Sequence, residues 1–394
     1  MINKIVSALF RMLNLFLPKK GNKLVFTSRP DYADNAYAFY QYLIEHEPDL
    51  EMVWIVNSAA KKEQLRRNMI RAYLKRELSG LYQVMTARFI VETHGQLVDL
   101  KCRRQVLIEL WHGKSVKATG LFEQRQDKPA VQKQARYPKA IDHFIASSGL
   151  TRSLLAAGFR LNPQKVVVTG QPRNDRLLRE TGNLVRVLGQ MDRELSSYNK
   201  IILYVPTFRS RQDYTDGRSF KQSQVLPFKD YDGIRFSSYL NKHNMLFLVK
   251  LHPAEEHTFT ASALELPGNI KLLTTAMFGE KLVDLYDCLH EIDLLITDYS
   301  SLSFDYLLLD RPLIFVPVDI KEYKETRGFV LEPYDFWAPG PKVTTLEQLT
   351  GEIDQCIDNP AYYCEQRKMV NRLINKYSDA DSARRVFGLF GSSN

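Results

Sequence analysis

Two histidines stand at the ends of apolar runs. Val106-Leu107-Ile108-Glu109-Leu110 leads into Trp111-His112-Gly113, and Leu246-Phe247-Leu248-Val249-Lys250 leads into Leu251-His252-Pro253. A third run, Ile292-Asp293-Leu294-Leu295-Ile296, ends in Thr297-Asp298-Tyr299-Ser300-Ser301. A histidine titrates near neutral pH, so it can take a proton from an alcohol. Gly113 lets a substrate approach the backbone, and Lys114, Ser115 and Lys117 offer cations and a hydroxyl to phosphate. Lys250 and His252 together suit a phosphate oxygen, although Glu255 and Glu256 also allow a plain ion-paired turn. Ser300 or Ser301 is a natural cap for a helix over 302–309. Free amides at that start make an anion site without a glycine-rich loop. Asp298 and Asp305 would repel bare phosphate and suit amide or hydroxyl contacts, or the orientation of a histidine. Two further turns follow strands: Gly170-Gln171-Pro172-Arg173-Asn174-Asp175, and Pro206-Thr207-Phe208-Arg209. Each feature also has a structural alternative: a strand-end histidine, an ordinary serine cap, or a solvated arginine in a turn.

Such residues act together only if strands carry them to one edge. Ligands of α/β proteins sit beyond the carboxyl ends of strands, so the three runs are expected to converge on one cleft. In the first half the short apolar runs are 23–28, 52–56, 89–92, 106–110, 143–146 and 166–169. In the second they are 201–205, 246–249, 270–273, 294–297 and 313–316. Most are continuous in Val, Ile, Leu and Phe rather than alternating, as in parallel strands covered on both faces. Helical segments lie between them, so the fold class is α/β. A chain of 394 residues is too long for one ordinary core. The polar stretch 180–200 is the expected boundary, dividing 21–190 from 191–394. The segment 209–232 reads as a loop near the interdomain face, and 362–387 as helical.

A hydrophobic fraction of 44% and a charged fraction of 25% are globular values. The net charge of +9 suits an anionic partner: a phosphate-rich substrate, nucleic acid or an acidic membrane. The sequence has no arginine-rich stripe and no aromatic RNA-binding signature, which argues against nucleic acid. Cys102, Cys288, Cys356 and Cys364 lack zinc-ligand spacing and read as reduced thiols in the cytoplasm. Asp230 and Asp232 form a D-x-D that reads as a solvated loop, so no metal ligand is assigned; no cofactor is called. Residues 1–20 contain no stretch long enough to span a bilayer. Ile5, Leu9, Met12, Leu13 and Phe16 share a helical stripe, and Lys4, Arg11, Lys19 and Lys20 suit lipid headgroups. This segment is either an interfacial anchor or a helix packed on the protein's own core.

WHGKS, GQPRND, YVPTFR, VKLHP and TDYSSLSFDYLLLDRPLIFVP, in this order, resemble the CDP-glycerol glycerophosphotransferase family over roughly residues 23–374. Its members build teichoic acids and related polyol-phosphate polymers in bacteria. The resemblance implies a GT-B arrangement, two Rossmann-like domains facing across a cleft, with the CDP-alcohol donor bound mainly by the C-terminal domain. It implies His112 as catalytic base and His252 as a second essential histidine near the donor pyrophosphate. Ser300, Ser301 and Asp305 match donor-binding positions, and Thr207, Arg209 and Arg173 lie in similar donor-lining turns. Trp111, Gly113, Lys114, Ser115, Lys250 and Thr297 complete the expected substrate contacts. The expected acceptor is a lipid-linked saccharide or polyol-phosphate chain, reached from the cytoplasmic face of an anionic membrane. Polymerising members carry an extra N-terminal region; the pattern here starts near Lys23 and is similar to the shorter priming members. A nucleotide-sugar transferase of the same fold and an inactive lipid-surface scaffold are the competing readings.

Overall fold

The structure is a computed structural model. It describes residues 10, 12–113, 116–123, 132, 135–179, 182–189, 193–208, 224–253, 255–256 and 266–391. Two compact units are present, each built on its own parallel sheet.

The first sheet contains β1 (Lys20–Thr27), β2 (Glu51–Val56), β3 (Ala72–Leu74), β4 (Ala87–Glu92), β5 (Val106–Glu109), β6 (His143–Ala146) and β7 (Val166–Val168). Its spatial order is β3-β2-β1-β4-β5-β6-β7. The second contains β8 (Lys200–Val205), β9 (Met245–Val249), β10 (Ile270–Leu272), β11 (Leu294–Thr297) and β12 (Leu313–Phe315), in the order β10-β9-β8-β11-β12. In both sheets the order reverses beside the first strand, at β1/β4 and at β8/β11. Doubly wound sheets bind ligands outside the carboxyl ends at such a switch point.

Every apolar run read as a strand forms one. Their continuity reflects burial on both faces: Val25, Val53, Ile90, Leu107 and Phe144 lie inside the first unit, and Ile202, Phe247, Val249 and Ile296 inside the second. Burying a side chain of this size contributes about 1.5–3 kcal/mol. Strand β3 was not anticipated. It is a short edge strand set in a charged segment, and it exists because Trp54 to Val56 of β2 offer it a ladder.

The expected boundary near residue 190 needs correction. The first unit comprises Met1–Gly113, Gln126–Arg176 and Ile374–Asn394, and the second Lys114–Arg125 and Leu177–Leu373. The C-terminal segment joins the first unit through long-range bonds. The Asp175 carboxylate accepts the amides of Ser382 and Ala383 at 3.0 and 2.7 Å, and so caps the helix Ser382–Gly391. Phe390 stacks on Phe39 and meets the edge of Phe89. The stretch after Gly113 joins the second unit, where Val116 and Ala118 bond the backbone of Val330 and Gly328. Residues 209–223 of the expected loop lie outside the described residues. All four cysteines are free.

Of the N-terminal segment, residues 1–9 and 11 lie outside the described residues. The remainder is bound to the first unit on one side. Asn14 is buried and donates to the Leu100 carbonyl and to Gln105, both at 2.8 Å. Lys19 is committed inward to Asn14 at 2.7 Å, so it is not a free headgroup ligand. Met12, Leu13 and Phe16 face out, with Phe16 77% exposed. No described helix is long and apolar enough to cross a membrane.

Candidate active site

In the first unit, two buried carboxylates organise the switch-point edge. Glu92 and Glu109 are register partners on β4 and β5. Glu92 accepts the Leu97 amide at 2.6 Å. Glu109 accepts two amides from two different turns, Gly95 at 2.8 Å and Trp111 at 2.9 Å. Both turns are tight. Gly95 has φ +57°, and a Cβ there would lie 2.2 Å from the Tyr137 hydroxyl. Trp111 itself sits at φ +53° and is followed by Gly113 at +146°. A left-handed non-glycine residue costs about 1–2 kcal/mol, a strain that the surrounding bonds hold in place.

These turns present His112. Its Nδ1 lies 3.1 Å from the Thr93 carbonyl oxygen. A carbonyl only accepts, so Nδ1 carries the proton and Nε2 of the neutral ring is left with its lone pair. The His112 carbonyl accepts from Arg173 Nη1 at 2.8 Å. Asn35 bonds the carbonyls of Leu110 and Trp111 and accepts the Arg173 amide. Arg173 also pairs with Asp34 at 2.8 Å. Its side chain is 4% exposed, so Arg173 is a brace for the histidine turn, not the donor-lining cation expected from sequence.

In the second unit, β8 lies between β9 and β11, and their three carboxyl-end turns come together. The Thr207 amide donates to both Asp298 oxygens, at 2.9 and 3.1 Å. This ties the two strands at the switch point and meets the expectation that Asp298 suits amides. Phe208 lies against His252 with ring centroids 4.8 Å apart. The His252 proton affinity is lowered: protein crowded around the ring is the largest cause, then the charges of Lys250 and Lys117, with Glu256 opposing. His252 reaches the surface despite that crowding, and its lowered proton affinity favours the neutral ring at neutral pH.

Four expected contacts have other duties. Lys250 donates to the Leu251 carbonyl at 2.8 Å, to Glu256 at 2.6 Å and to Thr275 Oγ1 at 3.2 Å. An ammonium has three protons, so the ion-paired turn is realised and Lys250 acts on His252 only through its field. Burial raises the proton affinity of Glu256, but the bonds and charge of Lys250 outweigh it and the carboxyl lies below its usual range. Thr297 is fully buried and donates to the Val205 carbonyl at 2.6 Å. Asp305 is fully buried and accepts the Tyr286 hydroxyl at 2.6 Å. Of the serine pair, Ser300 is the one that caps: its Oγ accepts the Leu302 amide at 3.3 Å, whereas Ser301 has helical dihedrals and makes no cap bond. Lys114, Ser115 and Arg209 lie outside the described residues.

The D-x-D carboxylates are not simply solvated. Asp232 caps the helix Gly233–Lys242 through the amides of Ile234 and Arg235, and Asp230 accepts the Leu346 amide at 3.0 Å. Among the described residues, no group of three or more His, Cys, Asp or Glu side chains is arranged to hold a metal ion. Sequence reasoning missed Thr93, His94, Asn35 and Glu109. His94 carried a signal: Thr93-His94-Gly95 follows the apolar run 89–92 as Trp111-His112-Gly113 follows its own.

Comparison with known proteins completes the picture. The chain is 29% identical to the teichoic acid ribitol-phosphate polymerase TarL of Staphylococcus aureus, over 98% of this chain and 66% of that protein. It is 27% identical to a teichoic acid poly(glycerol phosphate) polymerase of Bacillus subtilis, over 92% of this chain and 47% of that one. It thus spans about half to two thirds of these relatives. The solved structure of the wall teichoic acid polymerase TagF superposes with a TM-score of 0.75 at 19% identity, covering 100% of this chain and 98% of that one. That likeness, with two parallel α/β sheets, makes the fold GT-B-like. Residues 9–390 match the profile of the CDP-glycerol:poly(glycerophosphate) glycerophosphotransferases, and the chain belongs to that family.

Proposed function

We propose that this chain transfers glycerol phosphate or ribitol phosphate from a CDP-alcohol to a hydroxyl of a lipid-linked saccharide or polyol-phosphate chain, releasing CMP. Within the family, the observation that carries this reading is the bonding of His112 Nδ1 to the Thr93 carbonyl, which in the neutral ring puts the lone pair on Nε2. The acceptor hydroxyl gives its proton to Nε2 as its oxygen bonds the β-phosphorus. The bond from that phosphorus to the bridging oxygen breaks, and CMP leaves with the electron pair. A general base contributes about 10²–10⁴-fold to such a step. In this reading the first unit activates the acceptor and the second holds the donor. Neutral His252, Lys117 and the Ser300 and Ser301 hydroxyls take the spreading phosphate charge. A TagF variant soaked with CDPG has the same fold, with a TM-score of 0.76, which supports a CDP-alcohol as donor.

A lipid-linked acceptor calls for a membrane surface. The outward Met12, Leu13 and Phe16 with Lys20 beside them fit a peripheral contact with the anionic cytoplasmic face. The test supplies CDP-glycerol or CDP-ribitol with lipid-linked saccharide acceptors and reads products by mass spectrometry. One or both donors are expected to add a polyol-phosphate mass and release CMP, and His112→Ala and His252→Ala are expected to stop this with the fold retained. Failure of both donors, or transfer of a sugar without phosphorus, refutes the reading.

A further inference from the structure

His112 does not stand alone at its strand end. The ring of His94 lies parallel to it, with centroids 4.0 Å apart and planes 7° apart. We propose that His94 is a positioning residue for His112, whose ring plane it fixes so that Nε2 is held in one orientation toward the acceptor hydroxyl. The proposal rests on the reading of His112 as the base.

The second torsion of a histidine is broad and nearly two-fold. The bond through Nδ1, at 3.1 Å, fixes one point of the His112 ring, and Trp111 lies against the ring with centroids 4.1 Å apart and planes 39° apart. The parallel His94 ring at 4.0 Å restricts the torsion further, because rotation drives one edge into its neighbour. Stacked aromatic pairs attract each other beyond the effect of burial alone. The stack is built into the turns. Thr93 holds both rings: its hydroxyl lies 2.7 Å from His94 Nδ1, and its carbonyl takes His112 Nδ1. Glu109 then locks the His94 turn to the His112 turn through Gly95 and Trp111. Glu109 and Thr93 are fully buried, while both imidazoles are only half-buried. A pair serving the core would be buried like its supports. This one is held rigidly at the surface of the strand edge, where a substrate meets it.

The experiment compares His94→Ala, His94→Phe and His112→Ala in the full chain. Displacing reacting groups by an ångström costs about 10²-fold, so H94A is expected to lower kcat about 10–100-fold, with KM for the CDP-alcohol changed less than about twofold. H94F keeps a ring without its nitrogens and is expected to recover most of that loss. Histidine-¹⁵N spectra, assigned with H112A, are expected to show His112 as the Nδ1–H tautomer in the native chain and H94F, and averaged between tautomers in H94A. The proposal is overturned if H94A turns over within about twofold of the native chain while H112A is inactive. It is also overturned if native His112 is mainly Nε2–H, or if H94F is as slow as H94A. A fully active H112A removes the base reading itself, an outcome distinct from the loss of His94 alone.

Discussion

Replacing Arg173 tests whether the GQPRND turn binds substrate or braces the base. The guanidinium is almost wholly buried and donates from Nη1 to Asp34 and to the His112 carbonyl, each at 2.8 Å. Arg173→Met removes both bonds and leaves Asp34, with a side chain 15% exposed, without its cation. Breaking a buried pair from one side costs about 3–5 kcal/mol. A unit of this size loses about 2–4 °C per kcal/mol, so its unfolding midpoint is expected to fall by about 6–20 °C. The neutral Asp34→Asn change, added to Arg173→Met, removes the stranded charge. The double variant is expected to lie above the sum of the single losses by about 0.5–3 kcal/mol. Lysine is a poor substitute, since it lacks the planar fork. Turnover is expected to drop about tenfold or more as the His112 turn loosens, with KM for the CDP-alcohol nearly unchanged. Calorimetry and steady-state kinetics read both effects. An unchanged midpoint with a KM raised tenfold or more would refute the brace and restore Arg173 as a donor ligand.

Other outcomes follow from the same geometry. His252 holds its proton more weakly than an ordinary imidazole, which titrates near 6.5, so the unfolded chain protonates first as pH falls through that value, and folded stability declines there; His252→Gln is expected to flatten this acid loss in pH-dependent unfolding. Donor pyrophosphate should reverse the effect of Lys250 and Lys117, so CDP-alcohol binding near pH 6.5 is expected to take up protons, read by calorimetry in buffers of different ionisation enthalpy and absent in H252Q. Ser300→Ala loses the bond to the Leu302 amide and is expected to cost about 0.5–1 kcal/mol, whereas Ser301→Ala leaves the midpoint unchanged; equal losses would contradict the assignment of the cap. Changing Met12, Leu13 and Phe16 together to Ser is expected to weaken flotation with anionic vesicles while leaving the unfolding midpoint in place, because Asn14 and Lys19 hold the segment's inner side; unchanged flotation would refute the membrane contact.

Composition and periodicity alone determined the fold class and the position of nearly every strand, because a parallel strand covered on both faces must be apolar throughout. Strand ends, and so His112, His252 and Ser300, were legible for the same reason. His94 is as legible, since it follows its run in the same way. Tertiary structure decided what each polar side chain is free to do. Arg173 meets Asp34 across 139 positions of chain, and Thr297 meets Val205 across 92. The sequence shows that such groups can bind an anion but not that a fold partner has already claimed them. Lys250 was the nearer case, because Glu256 is only 6 residues away and the ion-paired turn could be written down beforehand. The unit boundary was hidden in the same way: Asp175 caps a helix 207 residues later, and local pattern carries no trace of a partner that distant. Hydrophobic periodicity is a local property of the chain and survives in the sequence, whereas the commitment of a hydrogen bond depends on which segments the sheets bring side by side.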